Sequence, residues 1–369
     1  MKLLLFIDSL GSGGAQRQLT TIAPLLKQQG IDVEVLCYCR NEFFAHALLE
    51  NGIPIHWITP KNYLIRILKI RDFIRKGNYN AVISFLDIPD LLNCLAAIGG
   101  CHWKVITSER SAKEENFHTF RGKIIGWIKR YSDAIVCNSE NARDLWLKYY
   151  PHYKDKLEVI YNMVTLPKIT STYIPHKDGK THIVVAASYQ YLKNPINVIE
   201  AVNALDESYK RKLSIEWYGR KEATVGETGA YKDASTLIDK YGLHKTVLLN
   251  EATNVITDRM VEADVVGLFS RLEGLPNAIC EAMSLAKPII ISRVSDYKVL
   301  VDKSNGVVCD WNNISSIKNA LEILLECSEE ELVSLGKKSK KKAEILFGKE
   351  KITNQWIKTI QKHDEFGKK

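Results

Sequence analysis

No apolar run in this sequence reaches the ~18 residues that a membrane-spanning helix needs. The best candidate, Leu91 to Cys101, is too short and follows Asp87 and Asp90. Nor does the start read as a secretory leader. In MKLLLFIDSLGSGG, Asp8 ends the apolar stretch after a few residues, so the segment reads as a first strand. The 8 cysteines include no Cys-x-x-Cys pair, and no histidine stands at zinc spacing from them. Reduced, buried thiols in a cytoplasmic protein are the reading that follows. There is no Asp-x-Asp, the carboxylate pair that clamps a divalent cation against a diphosphate, so no metal site is expected. The dinucleotide fingerprint G-x-G-x-x-G fails too. Gly11-Ser12-Gly13-Gly14 has Gln16 at the last required position, and the second strand ends in Cys37-Tyr38-Cys39 instead of a ribose-binding carboxylate. A nicotinamide enzyme is thereby disfavoured.

What is present is ordinary globular composition. Of 369 residues, 46% are hydrophobic and 25% charged, which excludes disorder and collagen for the bulk of the chain. The net charge of +8 is mild and matters only where it is clustered. Short apolar runs alternate with amphipathic ones. Strand-like runs are Leu3–Ile7, Val33–Cys37, Ile53–Ile58, Ala81–Leu86, Lys104–Thr107 and Ala134–Cys137 in the first half. The second half repeats the style with His182–Ala187, Ser214–Tyr218, Thr246–Leu249, Asp264–Phe269, Ile289–Ser292 and Val307–Cys309. Near-continuous Val/Ile/Leu marks strands covered on both faces of a parallel sheet. Helix patterns such as Arg17–Gln29 and Ile196–Leu205 lie between them. The fold class is therefore α/β, with two doubly wound, Rossmann-like domains.

The stretch Asn162 to Lys180 has two Pro, several Thr and Ser and no helix period, so it reads as a linker. This sets the domains at 1–165 and 166–351. A final helix, Ile352 to Lys362 within a tail of about 352–369, is able to dock on either domain, the first included. Ser328-Glu329-Glu330-Glu331 reads as a capping box at a helix start. The lysines that follow, from Lys337 to Lys342, suit a solvated helix face. No aromatic residue interleaves them, which argues against nucleic acid as a partner.

Residues 264–292, DVVGLFSRLEGLPNAICEAMSLAKPIIIS, carry the most information. A strand ends near Phe269, a loop spans Ser270 to Pro276, a helix starts near Asn277, and Lys287-Pro288 opens the next strand. Glu273 falls in the loop at the carboxyl end of a strand, where open α/β sheets bind ligands. Glu281 falls on the first turns of the helix. Two ionised carboxylates can hold sugar hydroxyls, while loop N–H groups and the helix dipole hold a diphosphate between them. One exposed loop Glu and one exposed helix Glu would be the bland alternative.

The whole string resembles the E-x7-E signature of the retaining nucleotide-sugar glycosyltransferases of family 4. The matching residues are Glu273-Gly274-Leu275-Pro276-Asn277, Glu281-Ala282-Met283 and Lys287-Pro288. Gly13-Gly14-Ala15-Gln16-Arg17, Asn138-Ser139-Glu140, Val159-Ile160-Tyr161-Asn162 and Lys193-Asn194-Pro195 resemble further family segments, in the family's order. The resemblance implies the GT-B fold, two Rossmann-like domains facing a central cleft. It implies a nucleotide diphosphate sugar donor, with a UDP-sugar expected, and a glycan acceptor, with no cofactor.

Residue roles follow from the same resemblance. Glu273 touches donor sugar hydroxyls, and the backbone of Gly274, Leu275 and Pro276 frames sugar and phosphate. Glu281 holds the ribose. Lys193 neutralises the leaving diphosphate. Gly13 and Gly14 let the N-terminal domain close over the donor. The family's second phosphate cation is missing, since Ser188 stands at the position of its Arg. Arg220 and Arg271 are the candidates to replace it. The family's N-terminal His is missing as well. The corresponding stretch, Thr107-Ser108-Glu109-Arg110-Ser111, resembles instead a subgroup acting on bacterial surface polysaccharides and lipid-linked oligosaccharides. Arg17, Glu109, Arg110 and His118 are the candidates on the acceptor side.

Residues 61–76 hold six Lys/Arg against Asp72 alone, with Leu64, Ile67, Leu68, Phe73 and Ile74 at near-helical spacing. A basic amphipathic helix of this kind suits an anionic membrane surface, and a lipid-linked acceptor with it. The expected setting is the cytoplasm, at the inner face of the cell membrane. Two other readings stay open: a nucleotide-sugar epimerase on the same fold, and a sugar-nucleotide-binding module without catalysis.

Overall fold

The computed structural model describes residues 1–110, 114–164, 173–174, 176–222 and 226–362. The chain divides into two compact units. One is Met1–Met163 together with the stretch from Lys349 on, and the other is Val164–Gly348.

The first unit is built on β1 (Lys2–Ile7), β2 (Asp32–Cys37), β3 (Ile55–Trp57), β4 (Ala81–Phe85), β5 (Lys104–Glu109), β6 (Ala134–Cys137) and β7 (Leu157–Val159). They form one parallel sheet in the order β3-β2-β1-β4-β5-β6-β7. Leu3 pairs with Val33 on one side and with Ala81 on the other, so β1 is central. Its run Leu3–Ile7 is buried on both faces, the reason it lacks alternation. Leu4, Phe6, Val82 and Val105 pack there with Ile70 and Ile74 of helix Tyr63–Lys76 and Leu92 of helix Asp87–Ala97. The C-terminal helix, Lys349–Gln361, belongs to this unit. Trp356 lies 6.1 Å from the Phe85 ring, and Thr359 and Lys362 both donate to Glu158 of β7.

The second unit holds β8 (Thr181–Ala186), β9 (Leu213–Gly219), β10 (Val247–Glu251), β11 (Val265–Leu268), β12 (Ile289–Ser292) and β13 (Gly306–Cys309). Their order is β10-β9-β8-β11-β12-β13, again all parallel. The capping box closes at both ends: Glu331 N–H donates to Ser328 Oγ at 3.2 Å, and Ser328 N–H donates to Glu331 Oε2 at 2.7 Å. The helix it starts, Glu329–Phe347, packs on helix Asn277–Ser284. Gly336 allows the approach, because a Cβ there would lie 2.0 Å from Ala286 O. No helix of the described residues is long and apolar enough to cross a membrane.

Candidate functional site

In the second sheet the strand order reverses between β8 and β11, and three loops meet at the carboxyl ends of β8, β9 and β11. The loop after β8 is clamped by main-chain bonds. Tyr189 N–H donates to Arg220 O at 3.0 Å on one side, and Arg271 N–H donates to Leu192 O at 2.8 Å on the other. The buried Tyr189 hydroxyl adds contacts of 2.9 Å to Trp217 O and Asn250 O. Gly219 is required for this closeness, since a Cβ would come 2.0 Å from Ala187 O. Asn194 ends the loop at φ 68°, a left-handed conformation that Asn tolerates better than most residues. Its side chain donates to Trp311 O at 2.6 Å, and Pro195 opens helix Pro195–Asn203.

This brings Lys193 onto Glu273. Lys193 Nζ lies 2.6 Å from Glu273 Oε1, and Ser270 Oγ donates to the same oxygen at 2.7 Å. Ser270 is fixed in turn by Ser292 Oγ, which donates to its carbonyl at 2.6 Å. Ser295 Oγ donates to Gly274 O. Helix Asn277–Ser284 then starts on Pro276 without a side-chain cap, so its positive dipole end meets the loop. Glu281 is half-buried on this helix, and Arg220 and Arg271 are exposed beside the loops. The Arg271 guanidinium lies 5.8 Å from the Trp311 ring. Carboxylates for hydroxyls and cations plus a helix start for phosphate are thus gathered at one switch point.

The first unit has its own cavity of about 300 Å³, lined by Asp8, Tyr38, Leu86, Asp87, Ile88, Pro89, Glu109, Arg110 and Arg121. It lies at the carboxyl ends of β1, β2, β4 and β5, across that sheet's reversal. Leu86 takes φ 80°, a strained value for a branched residue, as it turns β4 into helix Asp87–Ala97. Behind the cavity Lys129 is fully buried, with Nζ 2.9 Å from Asp90 Oδ2 and 3.6 Å from Glu109 Oε2. Burial pushes the Asp90 carboxyl up to about 6, with Lys129 and Ser84 pulling against it. Trp146 Nε1 donates to Glu109 Oε2 at 3.2 Å. Arg110 donates to Asn162 Oδ1 at 2.8 Å and lies 4.9 Å from the Phe85 ring. Burial lowers its guanidinium to about 10, still a cation at neutral pH. Its Nε has no partner among the described residues.

A family model described as "Glycosyltransferase Family 4" matches residues 12–167, and one described as "Glycosyl transferases group 1" matches residues 171–342. The chain belongs to the family-4 glycosyltransferases. Its two parallel-sheet units are those of the GT-B fold. The N-acetylgalactosamine-N,N'-diacetylbacillosaminyl-diphospho-undecaprenol 4-alpha-N-acetylgalactosaminyltransferase of Campylobacter jejuni is 22% identical, over 97% of this chain and 99% of that one. The UDP-Gal:alpha-D-GlcNAc-diphosphoundecaprenol alpha-1,3-galactosyltransferase of Escherichia coli is 24% identical, over 84% of each. The crystal structure of Anabaena Alr3699/HepE in complex with UDP superposes with a TM-score of 0.82 at 17% identity, covering 98% of this chain and 100% of that chain.

In this glycosyltransferase the residues expected on the donor side, Ser188, Lys193, Arg220, Arg271, Glu273–Pro276 and Glu281, lie on the three loops and the helix just described. Gly13 and Gly14 lie on the first unit. The room beside Gly13 is taken up by Gln16, whose Oε1 would stand 2.2 Å from a Cβ there, and Gln16 Nε2 donates to Asp8 at 2.9 Å. Arg17 is exposed on helix Gly14–Gln28. Glu109 and Arg110 line the cavity, but His118 does not. It is exposed, with Nε2 3.1 Å from Tyr149 Oη, in a surface cluster with Glu114 and Lys148. That placement sets it apart from Glu109 and Arg110 among the residues expected on the acceptor side. Of the six cations in residues 61–76, three make hydrogen bonds or ion pairs among the described residues, and Arg66 lies over the Tyr38 and Tyr63 rings. Arg71 and Arg75 donate to carbonyls closing helix Asp87–Ala97, and Lys76 pairs with Asp72. The cavity also takes in Leu86, Asp87 and Arg121, which carry no motif. Lys287 of the motif is a buried structural group that donates to Val261 O and Ala263 O at 2.6 and 2.7 Å.

Proposed function

We propose that this glycosyltransferase moves a sugar from a UDP-sugar to a lipid-linked glycan, with retention and without a metal ion, in bacterial surface polysaccharide or oligosaccharide synthesis. The observation that carries the donor site is the Lys193–Glu273 pair held at the β8/β11 reversal, beside the start of helix Asn277–Ser284. As the bond from the anomeric carbon to the diphosphate oxygen breaks, charge builds on the diphosphate. Lys193, the Gly274–Pro276 loop and the helix start are preorganised to stabilise it. Glu273 takes the donor sugar hydroxyls and Glu281 the ribose. The acceptor hydroxyl attacks from the face the diphosphate leaves, and its proton passes to the departing phosphate oxygen.

The acceptor reading draws on the undecaprenol-linked substrates named for the relatives from C. jejuni and E. coli. UDP draws support from the complex with Anabaena Alr3699/HepE. The 300 Å³ cavity of the first unit offers Asp87 and Glu109 for sugar hydroxyls and Arg110 and Arg121 for phosphate. Basic helix Tyr63–Lys76 is the expected contact with the inner face of the cytoplasmic membrane.

The test is to incubate the protein with UDP-N-acetylgalactosamine, UDP-galactose and UDP-glucose, with and without undecaprenyl-diphosphate-linked saccharides, following UDP release and product anomer by NMR. Acceptor-dependent release and an α product are expected. A rearranged donor without acceptor would mark an epimerase, and binding without release a non-catalytic module.

A further inference from the structure

Helix Phe120–Ile128 and the turn after it present an exposed apolar stripe among the described residues. Phe120, Ile124, Trp127 and Tyr131 are all exposed, Phe120 by 82% and Trp127 by 52%. Their spacing of four, three and four residues puts them on one face. The opposite face is the one the fold uses. Ile125 and Ile128 are buried, and Gly122 and Gly126 admit Asn116 O and Tyr150, which a Cβ would meet at 1.7 and 2.1 Å.

The helix and the turn after it carry charge of one sign themselves, although Asp87 pairs with Arg121 at 3.5 Å. Residues 120–131 contain Arg121, Lys123, Lys129 and Arg130 and no acid. Lys129 turns inward to Asp90, while the Arg130 guanidinium lies 4.4 Å from the Trp127 ring. Helix Asp87–Ala97 packs against both this helix and helix Tyr63–Lys76. The latter exposes Tyr63, Leu64, Ile65 and Leu68, Leu64 by 70%. The first of these two helices lines the first unit's cavity through Arg121, and the second places Arg66 4.9 Å from the ring of Tyr38, which lines it too.

We infer that Phe120, Ile124, Trp127 and Tyr131 insert into the interfacial layer of an anionic membrane, with Lys123 and Arg130 on its headgroups. Aromatic and aliphatic side chains flanked by cations match that layer in both polarity and charge. A second copy of the chain is a poorer occupant, because pairing the stripe with itself sets cation against cation. The inference deepens the lipid-linked acceptor proposed above and rests on it. The headgroup of a lipid held in the same bilayer would arrive beside Arg121 without leaving the membrane.

The experiment uses the full chain with vesicles of phosphatidylcholine, alone or with about 30% phosphatidylglycerol, at low salt. Wild-type protein should co-sediment with the anionic vesicles, and brominated lipid should quench a fluorescence component that Trp127→Phe removes. Ile124→Ser/Trp127→Ser should raise the lipid concentration for half-binding by about tenfold or more. Lys123→Ser/Arg130→Ser should abolish the preference for the anionic lipid. UDP affinity and transfer to a short-chain, water-soluble acceptor should stay at wild-type level in both variants, which also reports that they fold. Failure of that transfer in the wild type would count against the proposed function and leave the lipid result standing. Equal vesicle binding by wild type and Ile124→Ser/Trp127→Ser overturns the inference. So does a wild-type dimer that this variant makes monomeric without change in lipid binding.

Discussion

Lys193 and Glu273 share a hydrogen bond of 2.6 Å between side chains that come from the loops after β8 and β11. Neither residue is held there by its own loop alone. Glu273 also accepts from Ser270, whose carbonyl is held by Ser292 of β12, and Lys193 is carried by a loop tied to the main chain of Arg220 and Arg271. The pair keeps a cation and a carboxylate poised at one point, so a diphosphate arriving there competes with Glu273 for Lys193.

Lys193→Ala should therefore lose about a hundredfold in turnover, the scale of ~3 kcal/mol for one charge-assisted contact in a closed site. Ser188→Ala should be mild, because a hydroxyl supplies one hydrogen bond and no charge. Steady-state rates of Lys193→Ala, Arg220→Ala and Arg271→Ala, measured side by side, check this. A near-normal Lys193→Ala beside an inactive arginine variant would move the phosphate cation to that arginine.

The two carboxylates should separate kinetically. Glu281→Ala removes acceptors assigned to the ribose, so UDP affinity by calorimetry should fall while turnover at saturating donor changes less. Glu273→Ala removes the partner assigned to the reacting sugar, so turnover should fall more than UDP affinity. Wild-type values in both variants would dismiss the assignment.

Activity should persist in excess EDTA. The proposed charge stabilisation is assigned to Lys193 and backbone dipoles, which need no ion. Complete loss with EDTA and recovery with Mn²⁺ would refute the metal-free mechanism.

Lys129→Met should destabilise the first unit by about 3–5 kcal/mol at neutral pH, since it strands buried Asp90 beside Glu109. The pH dependence has a definite sign. The folded carboxyl of Asp90 is already raised to about 6, above its ordinary range. Stability linked to its proton is thus present at low pH and lost as pH rises through that value. Without the cation the carboxyl rises further, so the penalty should be smaller at pH ~5 than at pH ~8. Urea unfolding of both proteins at the two pH values checks it. A penalty that shrinks as pH rises would rule out this account.

The sheets were legible because their central strands, such as Leu3–Ile7 and Ile289–Ser292, are unbroken apolar runs. Strand β7 was not, because Leu157–Val159 is short, half-exposed and centred on a charged residue. The loop and helix proposed for the donor could be located because Glu273 to Lys287 lie in one continuous stretch. The first unit's cavity draws single residues from distant segments, Asp8, Tyr38, Leu86 and Arg121 among them, and no local pattern announces that. Lys129 shows the same limit. Within Lys129-Arg130-Tyr131 two adjacent cations look alike, yet one is fully buried on two carboxylates and the other stacks on an exposed Trp. Arg71 and Arg75 read as free surface charge, whereas they close the end of a neighbouring helix.

The C-terminal helix gives the chain an order of completion opposite to its order of synthesis. Residues 164–348 are continuous and carry everything the second unit's sheet needs. The first unit begins at the N-terminus but lacks Trp356 against Phe85, and the partners of Glu158, until Lys349–Gln361 has been made. Domains close as soon as their contacts exist on the growing chain. A nascent chain halted at Gly348 would thus carry a finished second unit and a first unit whose Phe85 side is still open. The half of the enzyme that leaves the ribosome first is the half that matures last.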